Sequence, residues 1–107
     1  MLEIIKRAAR GVSVLLVDDD PDILQSLQKM FSHFFEKVYT AFSVLEAYEI
    51  YCKYYSSETI LVVTDINLQE HSGILLCSML KRLNYNQRII AISGAEDSKT
   101  FIEAIEC

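Results

Sequence analysis

The 107-residue sequence has only one proline, three glycines and three cysteines, and no excess of basic over acidic residues. The scarcity of proline and glycine argues against a flexible linker, so the length predicts one small domain. With 10 basic against 15 acidic residues the net charge is −5, which argues against a surface for duplex nucleic acid. The cysteines are far apart, with no Cys-x-x-Cys pair and no histidine beside them, so a structural zinc site is excluded.

The first eleven residues form an N-terminal leader that contains basic residues but no long apolar run after them. A signal peptide needs an apolar run of about 7 to 15 residues, and a membrane span needs about 20. We therefore expect a cytoplasmic protein that has no membrane-spanning segment. Residues 12–107 are expected to form the folded domain.

Four short apolar segments have the composition of strands that are buried on both faces. The clearest is Val12–Val17 (VSVLLV), which is followed at once by three aspartates. The other three segments are residues 38–42, 60–64 and 88–93. Continuously apolar strands of this kind are typical of a parallel sheet.

Each strand segment is followed by a segment with apolar residues at helical spacing. The predicted helices are residues 21–35, a segment that follows Ser43, Gly73–Leu83, and residues 98–106. Asp20 and Pro21 suit the start of the first of these helices. Four alternations of strand and helix predict a doubly wound, flavodoxin-like α/β domain that stops after its fourth helix.

The helix after Ser43 carries a stripe of large side chains at helical spacing. Its members are Leu45, Tyr48, Tyr51, Cys52 and Tyr55. Such a stripe could line a ligand site, but core packing with the hydroxyls at the rim is the simpler interpretation, and we favour it.

Acidic side chains and one hydroxyl stand where the predicted strands end. Asp18, Asp19 and Asp20 follow the first strand, Asp65 follows the third, and Ser93 ends the fourth. In a doubly wound sheet these ends meet at one edge, which is where ligands bind. Unpartnered carboxylates that are crowded together would take up protons, and a hard divalent cation removes that conflict. Oxygen donors without cysteine or histidine favour Mg²⁺.

Helix capping offers a structural explanation for aspartates after a strand, and it suffices for Asp20. Capping does not predict two further carboxylates at the first strand together with Asp65 and Ser93 at its neighbours. The joint pattern therefore indicates a functional site.

Three motifs in order, VLLVDDDPDI, VVTDINLQEHSGI and IIAISGAED, resemble the receiver domain of two-component response regulators. By that resemblance Asp65 is the phosphoacceptor and Ser93 is the switch hydroxyl. The resemblance implies that Mg²⁺ is held by Asp18, Asp19, Asp65 and the backbone carbonyl of Asn67.

The resemblance also implies a function. A receiver domain takes a phosphoryl group from a sensor histidine kinase or a phosphotransfer protein and passes a change of shape to a partner. It assists its own modification and is not an enzyme with a separate substrate. Gly73 matches the glycine of the loop after the phosphoacceptor.

The sequence departs from the family pattern at its end, where a fifth strand and a fifth helix are missing. The lysine that follows the fifth strand in the family is missing with them, and no catalytic lysine can be assigned. We expect the fourth strand to be an open edge and one sheet face to be partly uncovered, which invites a homodimer through that strand. The leader is expected to form a helix that covers part of the gap.

Three other functions share some of these sequence features. A haloacid-dehalogenase-like phosphatase would need a longer chain, and a calcium loop would need glycine where Ile23 stands. A receiver-like interaction module that does not accept phosphoryl groups stays open, because the acidic residues are present but the lysine is not.

Overall fold

A computed structural model describes residues 2–68, 71–93 and 103–106. In chain order its elements are α1 (Leu2–Ala8), β1 (Val12–Val17), α2 (Pro21–Phe31), β2 (Val38–Ala41), α3 (Val44–Tyr54), β3 (Thr59–Asp65), α4 (Gly73–Leu83), β4 (Ile89–Ser93) and β5 (Glu103–Glu106). None of the helices in the described residues is long and apolar enough to cross a bilayer.

The strands form one sheet in the order β2-β1-β3-β4-β5. The pairs β1–β2, β1–β3 and β3–β4 are parallel, as the apolar strand sequences predict. The doubly wound α/β fold is therefore confirmed. Because β1 lies between β2 and β3, the strand order reverses at β1, and ligand sites are expected beside its carboxyl end.

The two faces of the sheet bury different sets of side chains. Leu15 and Val17 of β1 face one side, which α3 and α4 cover through Tyr51 and Leu80 among others. The alternate residues of β1 face the other side, which among the described helices α2 covers through Leu24. On this second face four apolar side chains of the strands are only partly buried: Val38, Leu61, Ile90 and Ile92.

Two predicted helix starts are present with their caps. The Asp20 carboxylate accepts hydrogen bonds from the backbone N–H groups of Asp22 at 2.9 Å and Ile23 at 3.3 Å. The Ser43 hydroxyl likewise accepts from Glu46 at 3.1 Å. These bonds satisfy N–H groups that the first turn of a helix leaves without partners.

Helix α2 ends earlier than the prediction of residues 21–35. After Phe31 the chain tightens into turns, in which the N–H of His33 bonds the carbonyl of Met30 and that of Phe34 bonds the carbonyl of Phe31. The apolar spacing continues through these turns, so periodicity alone overestimates the length of the helix.

The predicted inward stripe of α3 is correct for its tyrosines and wrong for two other members. Tyr51 is fully buried, and Tyr48 and Tyr55 pack against the core. Leu45 is 64% exposed and Cys52 is exposed, because the inward positions go to Val44 and Ala47.

The predicted fourth strand–helix unit ends differently. Residues 98–102 of the predicted helix 98–106 lie outside the described residues, and residues 103–106 are strand β5, so a helix there is wrong. β5 pairs antiparallel with β4, with Ile90 opposite Glu106 and Ser93 opposite Glu103. An apolar edge strand presents unpaired N–H and C=O groups, and β5 satisfies them. The predicted open edge of β4 is therefore wrong, and the predicted homodimer loses the free edge on which it was based.

The leader forms a helix, as predicted. It joins β1 through Gly11, whose φ of +75° lies in the region that glycine adopts most easily. Ala9 is buried, and Ile5, Ala8 and Ala9 line a cavity together with Val12 at the amino-terminal end of β1. The leader therefore lies at the end of the sheet that is opposite to the predicted acidic site.

Candidate phosphoacceptor site

Three carboxylates come together where β1 and β3 end. Asp18, Asp19 and Asp65 each offer an oxygen, and these atoms all lie within 4.8 Å of one another. The parallel register explains the proximity, because Val17 pairs with Thr64 and the next residues are Asp18 and Asp65. The structure thus brings together the acidic residues that the sequence predicted to converge.

Asp18 is the most enclosed of the three, with 7% of its surface exposed. Its backbone N–H donates to the carbonyl of Ala41 at 3.1 Å, which ties it to the end of β2. Its Oδ1 accepts from the N–H of Asp20 at 2.9 Å. The Asp18 side chain thus holds the backbone of Asp20, and the Asp20 side chain caps α2.

Asp65 is fixed by the strand and by the turn that follows it. The N–H of Ile66 donates to the carbonyl of Ile92 at 3.0 Å, which continues the pairing of β3 with β4. The Asp65 Oδ1 accepts from the N–H of Asn67 at 3.1 Å. The N–H of Asn67 therefore holds one of the two carboxylate oxygens in place.

The charges of the cluster oppose one another. Burial raises the pKa of Asp18, the hydrogen bond from Asp20 opposes this effect, and the charges of Asp65 and Asp19 add to it. Burial also raises the pKa of Asp65, the hydrogen bond from Asn67 opposes this, and the Asp19 charge adds to it. No cationic side chain among the described residues lowers either pKa.

The donor set fits Mg²⁺. All three side chains offer carboxylate oxygens, and neither cysteine nor histidine belongs to the cluster. Mg²⁺ prefers such ligands, tolerates retained waters and supplies the positive charge that the described side chains do not.

Gly73 allows the loop after Asp65 to return close to the strand. Its N–H donates to the carbonyl of Ile66 at 2.8 Å, and Asn67 and Ser72 form an antiparallel bridge beside it. A Cβ atom on Gly73 would overlap the carbonyl oxygen of Asp65. Only glycine fits this approach without displacing the Asp65 backbone.

The remaining predicted residues lie at the same edge of the sheet. Asn67 is exposed and directly follows the turn. Ser93 ends β4 one residue beyond Ile92, which pairs with Asp65. His71, in the same loop, is exposed.

A small cavity lies next to the carboxylates and was not predicted from the sequence. It has a volume of about 240 Å³ and is lined by Asp18 and Asp65 together with Ile23, Leu27 and Ile92. Ile23, in the first turn of α2, is 48% exposed.

Residues 14–107 match the family model of the response regulator receiver domain. The chain belongs to this family. It is thus a phosphoacceptor receiver domain of two-component signalling, as its three motifs predicted. A comparison with curated proteins found no significant match.

Solved receiver structures share the fold. A receiver domain protein from Clostridium thermocellum is 24% identical, with a TM-score of 0.73 over 80% of this chain and 68% of that chain. A chain of the CheX–CheY–BeF₃–Mg²⁺ complex from Borrelia burgdorferi is 28% identical, with a TM-score of 0.71 over 85% of this chain and 74% of that one. The response regulator TrrA from Thermotoga maritima, in complex with Mg²⁺ and beryllium fluoride, is 25% identical, with a TM-score of 0.67 over 78% and 70%.

Proposed function

We propose that this receiver domain accepts a phosphoryl group on Asp65, from a phosphohistidine of a sensor kinase or phosphotransfer protein. The observation that carries the proposal is the cluster in which Asp18 and Asp19 lie within 4.8 Å of the acceptor. We also propose that residues 12–107 form the domain and residues 1–11 a leader. We propose a cytoplasmic location for the protein.

The reaction needs a nucleophile, charge neutralisation and alignment. The Asp65 oxygen that is not held by Asn67 attacks phosphorus, an O–P bond forms, and the P–N bond of the donor breaks with its electron pair returning to the imidazole. Mg²⁺ held by Asp18, Asp19, Asp65 and the Asn67 carbonyl would neutralise the phosphoryl oxygens. The hydrogen bonds of Asp18 and Asp65 to the backbone keep both carboxylates oriented without reorganisation.

The output follows from the added charge. Phosphorylation of Asp65 turns a carboxylate with one negative charge into an acyl phosphate with close to two, so about one negative charge is added at the edge where β4 ends. We propose that the Ser93 hydroxyl donates to a phosphate oxygen and that the chain after β4 shifts with it, which changes the surface that a partner protein reads.

A non-phosphorylating interaction module is the alternative. It is favoured by one observation, the absence of a lysine or arginine paired with the cluster among the described residues. The aspartates of such a module would bind a cation without accepting a phosphoryl group.

One assay separates the two functions. The protein is incubated with acetyl phosphate and Mg²⁺, and its intact mass is measured. We expect a gain of one phosphoryl group that disappears in Asp65→Asn and is retained in Asp22→Asn, which changes an exposed acid in the first turn of α2. A native chain that gains no mass would favour the interaction module, and an Asp65→Asn variant that gains it fully would exclude Asp65 as the acceptor.

A further inference from the structure

A second and larger cavity lies at the opposite end of the sheet, at the amino-terminal ends of β1 and β3. It has a volume of about 650 Å³, within the range of small-molecule sites. Much of its wall is apolar, with Ile5 and Ala8 of α1 facing Val12, Phe35 and Ile60. The six residues of β1 separate it from the carboxylate cluster by about 20 Å, so the two sites are distinct.

The polar side chains of this cavity are held in place. Gln87 is 6% exposed, accepts from the Tyr51 hydroxyl at 2.7 Å, and donates to the carbonyls of Ile60 at 2.6 Å and Arg88 at 2.8 Å. Because its amide is fully engaged, Gln87 cannot turn to fill the space.

Glu58, the acid among the lining residues, is engaged in the same way. Its carboxylate accepts from the hydroxyls of Ser13 at 2.8 Å and Tyr39 at 2.9 Å, and Lys37 lies 3.7 Å away. The Glu58 carboxylate is therefore oriented towards these partners, and Lys37 offsets part of its negative charge.

Basic residues surround this end of the molecule. Because α2, α3 and α4 run antiparallel to the strands, their last turns lie at the amino-terminal ends of the strands. The residues concerned are Lys29, Lys53, Lys81 and Arg82 on those helices, Lys6, Arg7 and Arg10 in the leader, and Lys37 and Arg88 just before β2 and β4. These nine are all the lysines and arginines in the described residues, and the acids Glu3, Glu36 and Glu58 lie at the same end.

We propose that this cavity binds an anionic amphiphile, a small molecule with an apolar body and one carboxylate, sulfonate or phosphate group. The apolar wall takes the body, and burying it removes apolar surface of both partners from water. The surrounding basic residues attract the anionic group.

The first test uses two probes that share one aromatic body. 1-Anilinonaphthalene-8-sulfonate carries the anionic group, and N-phenyl-1-naphthylamine lacks it. We expect both to fluoresce with the folded protein, the sulfonate to bind about tenfold more tightly, and its advantage to shrink as salt is added. Equal affinity of the two probes, or no binding of either, would overturn the proposal.

The second test locates the probe. Ala8→Phe places a ring into the cavity, whereas Ile4→Phe adds a similar ring one turn earlier at a position that is 71% exposed and does not line it. We expect Ala8→Phe to weaken sulfonate binding about tenfold and Ile4→Phe to leave it unchanged, with thermal melts showing that both variants are folded. Equal binding by the two variants would mean that the probe lies elsewhere.

A charge variant gives an independent result if Ala8→Phe disturbs the folding of the leader. Arg88→Gln removes the cation of the lining, and Arg82→Gln removes a cation of the same end that does not line the cavity. We expect Arg88→Gln to weaken the sulfonate more than the neutral probe, and Arg82→Gln to have the smaller effect. The reverse order would contradict the assignment.

The natural ligand class is tested by displacement of the bound sulfonate. Displacement by decanoate below its micelle concentration indicates a free amphiphile, and displacement by phosphatidylglycerol vesicles indicates a lipid. Displacement by neither would overturn the proposal.

Discussion

Asp18 shows most clearly that the acidic site opposes folding when no cation is present. Its pKa is raised, chiefly by burial, so the folded state favours the neutral acid. The stability that goes with a raised pKa is present below the unfolded pKa of about 4 and is lost as the pH rises through the folded pKa. At neutral pH the ionised Asp18 therefore destabilises the metal-free fold.

Asp18→Asn should consequently raise the melting temperature in EDTA at pH 7, by about 4 °C or more. The amide oxygen of asparagine can still accept from the Asp20 N–H, so the cap of α2 is preserved. Circular dichroism melts check the result against Asp22→Asn, which lies outside the cluster. A lower melting temperature for Asp18→Asn than for the native chain would show that the ionised Asp18 does not destabilise the fold.

Gly73→Ala tests the close approach of the loop to the acceptor. The added Cβ would overlap the Asp65 carbonyl, so we expect a loss of about 1–3 kcal/mol in the free energy of unfolding and slower phosphorylation. Gly11→Ala is the matched control. It forces alanine to a φ of +75° in open space, which costs about 1–2 kcal/mol but leaves the acidic site unchanged.

Urea denaturation and the acetyl phosphate assay together separate these two glycines. If both variants lost stability and both kept the native rate of phosphorylation, the loop would not position Asp65.

At the scale of elements, Glu58 links three strands at one end of the sheet. It lies just before β3 and accepts from Ser13 of β1 and Tyr39 of β2. The hydrogen bond from Ser13, with those of Tyr39 and Lys37, lowers the pKa of Glu58. Burial, followed by the hydrogen bond to Glu58, raises the pKa of Tyr39 to about 12.

Glu58→Gln should lower the pKa of Tyr39 part of the way towards 10, because the charged acceptor disappears while the burial remains. NMR titration of the tyrosine ring carbons measures this change, and Glu36→Gln, an exposed acid before β2, is the control. An unchanged Tyr39 pKa would contradict the network.

The Glu58→Gln variant also tests how the stability of the fold depends on pH. A lowered carboxylate pKa contributes stability above the unfolded pKa, here 4.5, and that contribution is lost as the pH falls through the folded pKa. The stability difference between the native chain and Glu58→Gln should therefore shrink below pH 4.5. A difference that grows in acid would have the wrong sign.

The elements also show what the sequence could predict. Val12–Val17 and Gly73–Leu83 were predicted to the residue, because an aspartate run ends the first and a glycine begins the second. The strand at residues 103–106 was not predicted. Ile102 and Ile105 have helical spacing, whereas the pairing of this segment with β4 is a tertiary interaction.

The candidate site was more predictable than its surroundings. Asp18, Asp19 and Asp65 follow from the rule that strand ends of a parallel sheet converge. The hydrogen bonds that orient them depend on turns whose geometry the sequence does not specify, such as that from Asn67 to Asp65. The cavity beneath α1 was not predicted, because no local pattern encodes where the leader packs.

At the scale of the whole molecule, charge is separated along the strands. The carboxyl-terminal ends of the strands carry Asp18, Asp19, Asp20 and Asp65, and the amino-terminal ends carry the described lysines and arginines. This separation, which a net charge of −5 conceals, favours a cation at one end of the sheet and anions at the other.

Isothermal titration with Mg²⁺ tests the central claim most directly, namely that Asp18 and Asp19 hold a divalent cation beside the acceptor Asp65. We predict one Mg²⁺ per chain for the native protein and for Asp22→Asn, and binding at least about tenfold weaker for Asp19→Asn. A native chain that binds no Mg²⁺ at millimolar concentration, or an Asp19→Asn variant that binds it as tightly as the native chain, would contradict the account.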